Sequence, residues 1–322
     1  MDIIFYFFNF DGIISANYHY KQDIDFAEIF KKAGKKYIVL QEENVGIIPG
    51  HVRAFTERAK KFEPSKADLI LTYNLTTRNA LLNAGFIDSN KIFATGCLRY
   101  ANIKKTFKRS IKKTKYKNII FYSFQHNSII DNDPKEKHEK MPAFGKRGLV
   151  NFFKNSHNLI INLAQNEPTI KVTIKLKWPG KWDKTIYENW KKFSGKDTLP
   201  ENCEIISTNF KSEIFENADL IISWVSTTIL ESFILDKPVL IPKFDEAKEK
   251  YDDFIDLSEY EKTCKICENK DQFINEVKKN LTISSVGNEI MSERKKLINK
   301  YLTADTSNMI DETQKKIIET LQ

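Results

Sequence analysis

The sequence predicts an α/β protein made of two similar halves, each built on a parallel sheet. Three observations carry that prediction. Short apolar runs alternate with amphipathic stretches along the chain. "ADLI" followed by "TT" occurs twice at one spacing, at residues 67–77 and 218–228. Between the copies lies "KKTFKRSIKKTKYK" (104–117), where eight of fourteen residues are basic and none is acidic, a composition shift that marks a boundary. Strands that alternate with helices pair in parallel, because each crossover returns the chain to the same end of the sheet.

In chain order, "IIFYFFNF" (3–10) reads as a buried strand. Asp2 precedes it, and neither a basic region nor a small-residue cleavage site frames it as a signal peptide. Residues 37–41 form a strand that ends at Glu42 and Glu43. A helix near 51–62, a strand at 67–73, a helix at 76–84 closed by Gly85 and a strand at 91–96 complete the first half. The alternation restarts at 118–124. The polar stretch 128–147, with Pro134, Pro142 and Gly145, reads as a loop. Helices follow at 148–165, 183–193 and 212–217, with strands at 169–179 and 203–207. A strand at 218–222, a helix from 228 and a strand at 239–241 come next. Helices at 271–280, 291–301 and 311–321 close the chain. The organisation expected is a half at 1–103, a basic linker at 104–117, a second half at 118–300 and a carboxyl-terminal helix at 301–322.

Apolar residues make up 41% of the 322 and charged residues 29%, which excludes a disordered chain. No apolar run approaches the ~18–20 residues of a membrane span. A net charge of +8 favours anionic partners. The basic run is a solvated linker or helix face, with contact to an anionic membrane as the sharper alternative. It carries no aromatic platform and no recognition motif, so nucleic acid is not expected as a partner. Four cysteines and no signal imply a reducing, cytoplasmic compartment. Cys264 and Cys267 form a lone CxxC without a second ligand pair, and read as a strand entering a helix.

The stretch "SWVSTTILESFILDKPVLIP" (223–242) is the chemically informative one. Thr228 and Glu231 fit a capping box, as N-cap and N3. The box has no need of Ser223, Ser226 and Thr227. Open α/β sheets bind ligands beyond the carboxyl ends of their strands, and helix starts hold anions. These hydroxyls are therefore candidates for phosphate, and Glu231, one turn in, for ribose. Lys175 and Lys177 alternate in a strand, where they either neutralise a diphosphate or form a solvated edge. His126, at a strand end, is a candidate for phosphate or base. Glu42 and Glu43 are candidates for a general base, against the commoner reading as solvated loop acids, with His51 a lesser one. "DND" (Asp131–Asp133) mimics a metal-holding Asp-x-Asp but reads as a turn.

"ADLIISWVSTTILESFILDKPVLIP" resembles the nucleotide-binding signature of GT-B glycosyltransferases. The nearer resemblance is to bacterial surface-carbohydrate and capsule biosynthesis enzymes, relatives of the CDP-glycerol glycerophosphotransferases. "LILTYNLTTRNALLNAGFIDSNKIFATG" (69–96), "GCLRY" (96–100), "IIFYSFQHN" (119–127) and "VTIKLKWP" (172–179) resemble that family's motifs in order, over roughly residues 67–245. Glu42-Glu43 resembles an acidic motif of related enzymes. The resemblance implies two Rossmann-like domains, GT-B-like, with a short amino-terminal acceptor domain and a carboxyl-terminal nucleotide-binding domain. It implies transfer of a sugar from a nucleotide-activated donor to a glycan or lipid-linked acceptor, without metal or other cofactor. It departs at Ala101, where many relatives have Asp, and at Lys177 and Trp178, where glycerophosphotransferases carry His. A non-hydrolysing nucleotide-sugar 2-epimerase is the alternative enzyme, although its Ser-Gly-Gly turn is replaced by Ser226-Thr227-Thr228. A non-catalytic nucleotide- or carbohydrate-binding protein is the alternative from another class.

Overall fold

The computed structural model describes residues 10–42, 46–101, 115–124, 148–177, 181–207, 212–249, 251–283, 286–302 and 308–322. The expected strand at 3–10 and loop at 128–147 lie outside these residues almost entirely. In chain order the elements begin β1 (Gly12–Ser15), α1 (Lys21–Lys32), β2 (Lys36–Leu40), α2 (Pro49–Ala59), β3 (Leu69–Thr72), α3 (Leu75–Asn83) and β4 (Ile92–Ala94). They continue with β5 (Lys117–Tyr122), α4 (Val150–Asn166), β6 (Ile170–Lys175), α5 (Lys181–Ser194), β7 (Cys203–Ile206), α6 (Ser212–Glu216), β8 (Leu220–Ser223), α7 (Thr228–Ile234) and β9 (Val239–Pro242). The last are α8 (Glu246–Glu249), β10 (Lys265–Cys267), α9 (Lys270–Asn280), α10 (Asn288–Leu302) and α11 (Met309–Leu321).

The chain divides into two compact units. The first comprises Met1–Ile47, His51–Asn102 and Lys296–Gln322, and the second Ile48–Gly50 and Ile103–Lys295. The second unit ends at Lys295, inside α10.

The first unit holds a parallel sheet in the order β1-β2-β3-β4. Alternate residues of its strands bury on opposite faces. Val39, Ile70 and Ile92 pack with Phe30, Phe55 and Leu81 on one face. Ile38, Leu69 and Leu71 meet Ile317 and Leu321 of α11 on the other. Burial on both faces is why "YIVL" and "LILT" read as unbroken apolar runs. α1 was not expected. Its sequence "KQDIDFAEIFKK" buries only Asp23, Ala27 and Phe30, and Asp23 accepts from the Tyr20 N–H at 3.0 Å to close the helix start.

The second unit holds six strands in the order β10-β9-β8-β5-β6-β7. The chain starts in the middle at β5, winds outward through β6 and β7, then crosses back to β8 and winds outward again. All the pairings are parallel. This is the doubly wound Rossmann order, and it creates one reversal point, between β5 and β8.

The repeated "ADLI" has the same job in each unit. Asp68 accepts from the Tyr37 N–H at 2.9 Å and returns its own N–H to the Tyr37 carbonyl at 2.9 Å. Asp219 does so with Asn118, at 2.7 and 2.8 Å. Each carboxylate pins the start of its strand to the neighbouring strand, with a lysine at the rim: Lys36 at 4.0 Å and Lys117 at 3.8 Å.

In the first unit the turn after β3 is closed. Asn74, fully buried, is the N-cap of α3 and accepts from the Thr77 N–H at 2.7 Å. Its amide donates to the Tyr301 carbonyl, and Thr76 Oγ1 donates to the Lys300 carbonyl at 3.0 Å. The end of α10 is thereby satisfied on the start of α3. Asn74→Ala removes both a cap and the partner of a buried carbonyl. We expect it to lower stability by about 2 kcal/mol, read from the urea midpoint at unchanged m-value.

Candidate functional site

In sheets of this order ligands bind beyond the carboxyl ends of the strands at the reversal point, which here lies between β5 and β8. Tyr122 pairs with Ser223 in register, so the two strands end level there. Ser223 is buried, and its Oγ lies 2.9 Å from Thr228 Oγ1. The capping box expected at Thr228 and Glu231 is not formed. The N-cap is Thr227, in helical conformation (φ −56°, ψ −22°) and without a side-chain cap bond. Two contacts explain the difference. The Thr228 hydroxyl is taken by Ser223, and the N–H groups of Ile229 and Leu230 are taken by the carbonyls of Ser226 and Thr227, each at 3.0 Å.

The first unit shows what is unusual here. Val225 occupies the place in the repeat that Asn74 holds in the other copy. It has φ +41°, left-handed, where Asn74 is extended at φ −158°. A β-branched residue in that region is a real outlier and costs about 1–3 kcal/mol. The cap is gone, the helix starts later, and the turn opens. Among the described residues, the N–H groups of Val225, Ser226 and Thr227 donate to no protein acceptor. Ser226 Oγ accepts only a long bond, 3.4 Å, from the Thr228 N–H. Consecutive free N–H groups about a left-handed residue form an anion-binding concavity.

Glu231, half-buried, lies near Tyr122. Burial first, and the Glu231 carboxylate second, push the Tyr122 phenol above its ordinary range. Lys175 is the last residue of β6 and is paired with Ile206 of β7. Its Nζ donates to the Leu176 carbonyl at 2.6 Å, and burial lowers its pKa. The strand stops there rather than at 179, so Lys177 is an exposed loop residue and does not alternate with Lys175 along a strand. Of the other expected residues, His126, Glu43 and Asp131–Asp133 lie outside the described residues. Glu42 is exposed after β2, and its carbonyl accepts from the Tyr73 hydroxyl. His51 is half-buried on α2, packed so closely on Gly46 that a Cβ there would come within 2.3 Å of His51 Cβ. Burial pushes the thiols of Cys264 and Cys267 up to about 12, so both are inert thiols.

One pair at this end of the sheet was missed. Ser123 follows β5, and its Oγ lies 2.8 Å from His157 Nε2 of α4. His157 Nδ1 lies 2.6 Å from the Phe153 carbonyl and must donate to it. Nε2 is then an acceptor, and the Ser123 hydroxyl donates. Burial lowers the His157 pKa to about 4, so the imidazole is neutral. A histidine inside the apolar run "SHNLIINLA" looks like core, and no sequence signal separates the two cases.

The fold is shared with solved structures. A UDP co-structure of MnaA from S. aureus matches with a TM-score of 0.57 at 14% identity, covering 99% of this chain and 79% of that one. A UDP-GlcNAc 2-epimerase from Neisseria meningitidis bound to UDP-GlcNAc gives 0.50 at 15%, covering 98% and 78%. The wall teichoic acid polymerase TagF gives 0.51 at 13%, covering 90% and 70%. No family model matches the chain, and no curated protein matches its sequence. At these identities the matches establish the GT-B-like fold: two Rossmann-like domains on parallel sheets.

Two outcomes follow from the geometry. Val225→Asn places a residue that tolerates the left-handed region and can also cap, so stability rises by about 1 kcal/mol; a fall in the urea midpoint contradicts the strain. For His157, the unfolded imidazole has a pKa of about 6.5 and the folded one about 4. Its contribution is complete above about pH 6.5 and is lost as the pH falls through about 4, by of order 3 kcal/mol. His157→Gln should flatten that part of the stability–pH profile.

Proposed function

We propose that the chain is a glycosyltransferase that holds a nucleotide-activated sugar on its second unit and transfers the sugar to a surface-glycan acceptor. The observation that carries the reading is the opened turn at Val225. It places three consecutive N–H donors at the reversal point of a doubly wound sheet, where ligands of such sheets bind. The neighbours solved with UDP and with UDP-GlcNAc support a nucleotide-bearing donor.

In this reading the donor phosphates sit on the N–H groups of Val225, Ser226 and Thr227 and on the Ser226 and Thr227 hydroxyls. Ser223 and Thr228, bonded to each other, hold the turn in shape. Glu231 accepts from ribose hydroxyls. The acceptor oxygen attacks the anomeric carbon, the bond from that carbon to the phosphate oxygen breaks, and the nucleotide leaves with the electron pair. The N–H groups and Lys175 stabilise that developing charge without a divalent ion. The acceptor proton passes to a general base, for which Glu42 and Glu43 are the candidates, with His51 the lesser one. Among the described residues no helix is long and apolar enough to cross a membrane. The four cysteines are free thiols, which supports a reducing compartment and so a reaction in the cytoplasm or at the inner membrane face.

The 2-epimerase neighbours favour a second reading, reversible inversion of a nucleotide sugar. Incubation with UDP, CDP, GDP and CMP sugars in excess chelator separates the cases. Free nucleotide appearing only with acceptor marks the transferase, an isomerised nucleotide sugar marks the epimerase, and a thermal shift alone marks a binding protein. Glu231→Gln should leave stability unchanged, because Glu231 is not part of the cap. It should weaken nucleotide binding ten- to a hundredfold, the loss of charge-assisted bonds of about 1.5–3 kcal/mol. Unchanged affinity would remove Glu231 from the site.

A further inference from the structure

Trp224 and Ser123 each stand one residue beyond the registered pair Tyr122–Ser223, where the neighbouring strands β8 and β5 end. Their chemistry is complementary. Ser123 gives its proton to His157 Nε2, so the lone pairs of Oγ are what it offers elsewhere: it is an acceptor of fixed polarity. Trp224 is 97% buried, and its Nε1–H, a donor only, has no partner among the described residues. The Trp224 and His157 rings lie against one ring, Phe124, with centroids at 4.8 and 5.7 Å. Phe152 adds a further apolar surface, 5.2 Å from Trp224.

Buried polar groups in native proteins are paired, so an orphan donor beside a polarised acceptor asks for a group that supplies both. A backbone carbonyl or a phosphate oxygen can only accept. An amide N–H can only donate. A water or an alcohol does both at one atom, and of the two only the alcohol brings a C–H face, that of a sugar or polyol, which suits the aromatic rings. We propose that Ser123 Oγ and Trp224 Nε1 form a hydroxyl-binding subsite, which takes an alcohol group of the transferred sugar or polyol next to the phosphate-binding turn. His157 is a positioning residue that acts through Ser123. The placement beside the turn rests on the donor reading above, while the recognition of an alcohol does not.

The test follows the indole N–H resonance of Trp224, assigned by its loss in Trp224→Phe, in ¹⁵N-labelled full-length protein. The probes are UDP-glucose, UDP-N-acetylglucosamine and CDP-glycerol, with UDP and CDP as the controls that lack the alcohol group. The alcohol-bearing compound that binds should shift this resonance, and its bare diphosphate should not. Ser123→Ala should weaken that compound about tenfold, the loss of one hydrogen bond, with the affinity for the bare diphosphate kept. A bound alcohol-bearing compound that leaves the resonance in place, or a bare diphosphate that shifts it equally, overturns the proposal. If none of the nucleotides binds, the donor reading falls, and glycerol and free glucose decide the subsite. A Trp224 shift that Ser123→Ala weakens upholds alcohol recognition, and no shift overturns it. The wild-type resonance answers the question even where Ser123→Ala, with His157 Nε2 left unpaired, fails to fold.

Discussion

The arrangement of the second unit depends on one charge-assisted bond, from the Asn118 N–H to the Asp219 carboxylate at 2.7 Å. It joins the start of β8 to the start of β5, strands a hundred residues apart in the chain. Two parallel strands of apolar residues have no side-chain reason to choose one register, because neighbouring shifts bury similar groups. A carboxylate on the residue before β8 can reach only one N–H. Once it is made, Tyr122 falls opposite Ser223, both strands end level, and everything beyond that level follows: the Ser223–Thr228 hydroxyl pair, the left-handed turn and the Ser123–His157 bond. The rim lysine, Lys117, is exposed at 3.8 Å and adds little to this.

Asp68 sets the first unit by the same means, and the two copies diverge only past the strand end. There the first unit is closed by its own chain: Asn74 caps α3 and takes the Tyr301 carbonyl, and Thr76 takes the Lys300 carbonyl. A helix end, with its free carbonyls, occupies the place of an anion at a helix start. In the second unit Val225 replaces the cap, and the turn carries strain and unpaired donors instead. Both features lower stability. A sequence that keeps the pinning aspartate and discards the cap keeps the scaffold and opens the turn. That contrast supports the proposed ligand site over an ordinary capped turn more firmly than the presence of hydroxyls does.

Most of the scaffold was legible because doubly buried strands give unbroken apolar runs. β2, β3, β5, β8 and β9 stand out for that reason, and the repeated Asp was visible as a pattern before its bond was known. What failed to show was what burial does not mark. β1 leaves Ile13 and Ile14 exposed, and α1 buries three residues of twelve, so neither has a clear stripe. The strand at β6 was drawn too long because alternating lysines look like strand wherever they stand. The capping box was misread for a different reason. Thr228 has two possible partners, the backbone N–H three residues on and the hydroxyl five residues back, and only the folded turn decides between them. His157 gave no signal, since its role is defined entirely by Phe153 and Ser123.

The turn after β8 and the Ser123 hydroxyl after β5 differ in hydrogen-bond polarity. The Val225–Thr227 turn offers three consecutive N–H donors and carries the Ser226 and Thr227 hydroxyls. Ser123 offers an acceptor whose direction is fixed by a neutral imidazole. That fixing requires neutrality: a protonated His157 would need an acceptor at Nε2 and would turn the Ser123 hydroxyl outward as a donor. Burial prevents this across the physiological range by holding the pKa near 4. A ligand that meets both carries an anionic group and a hydrogen-bond donor, and free phosphate or a bare carboxylate meets only half of that requirement. A phosphate ester of an alcohol-rich group meets it in full, and the donor proposed above belongs to that chemical class.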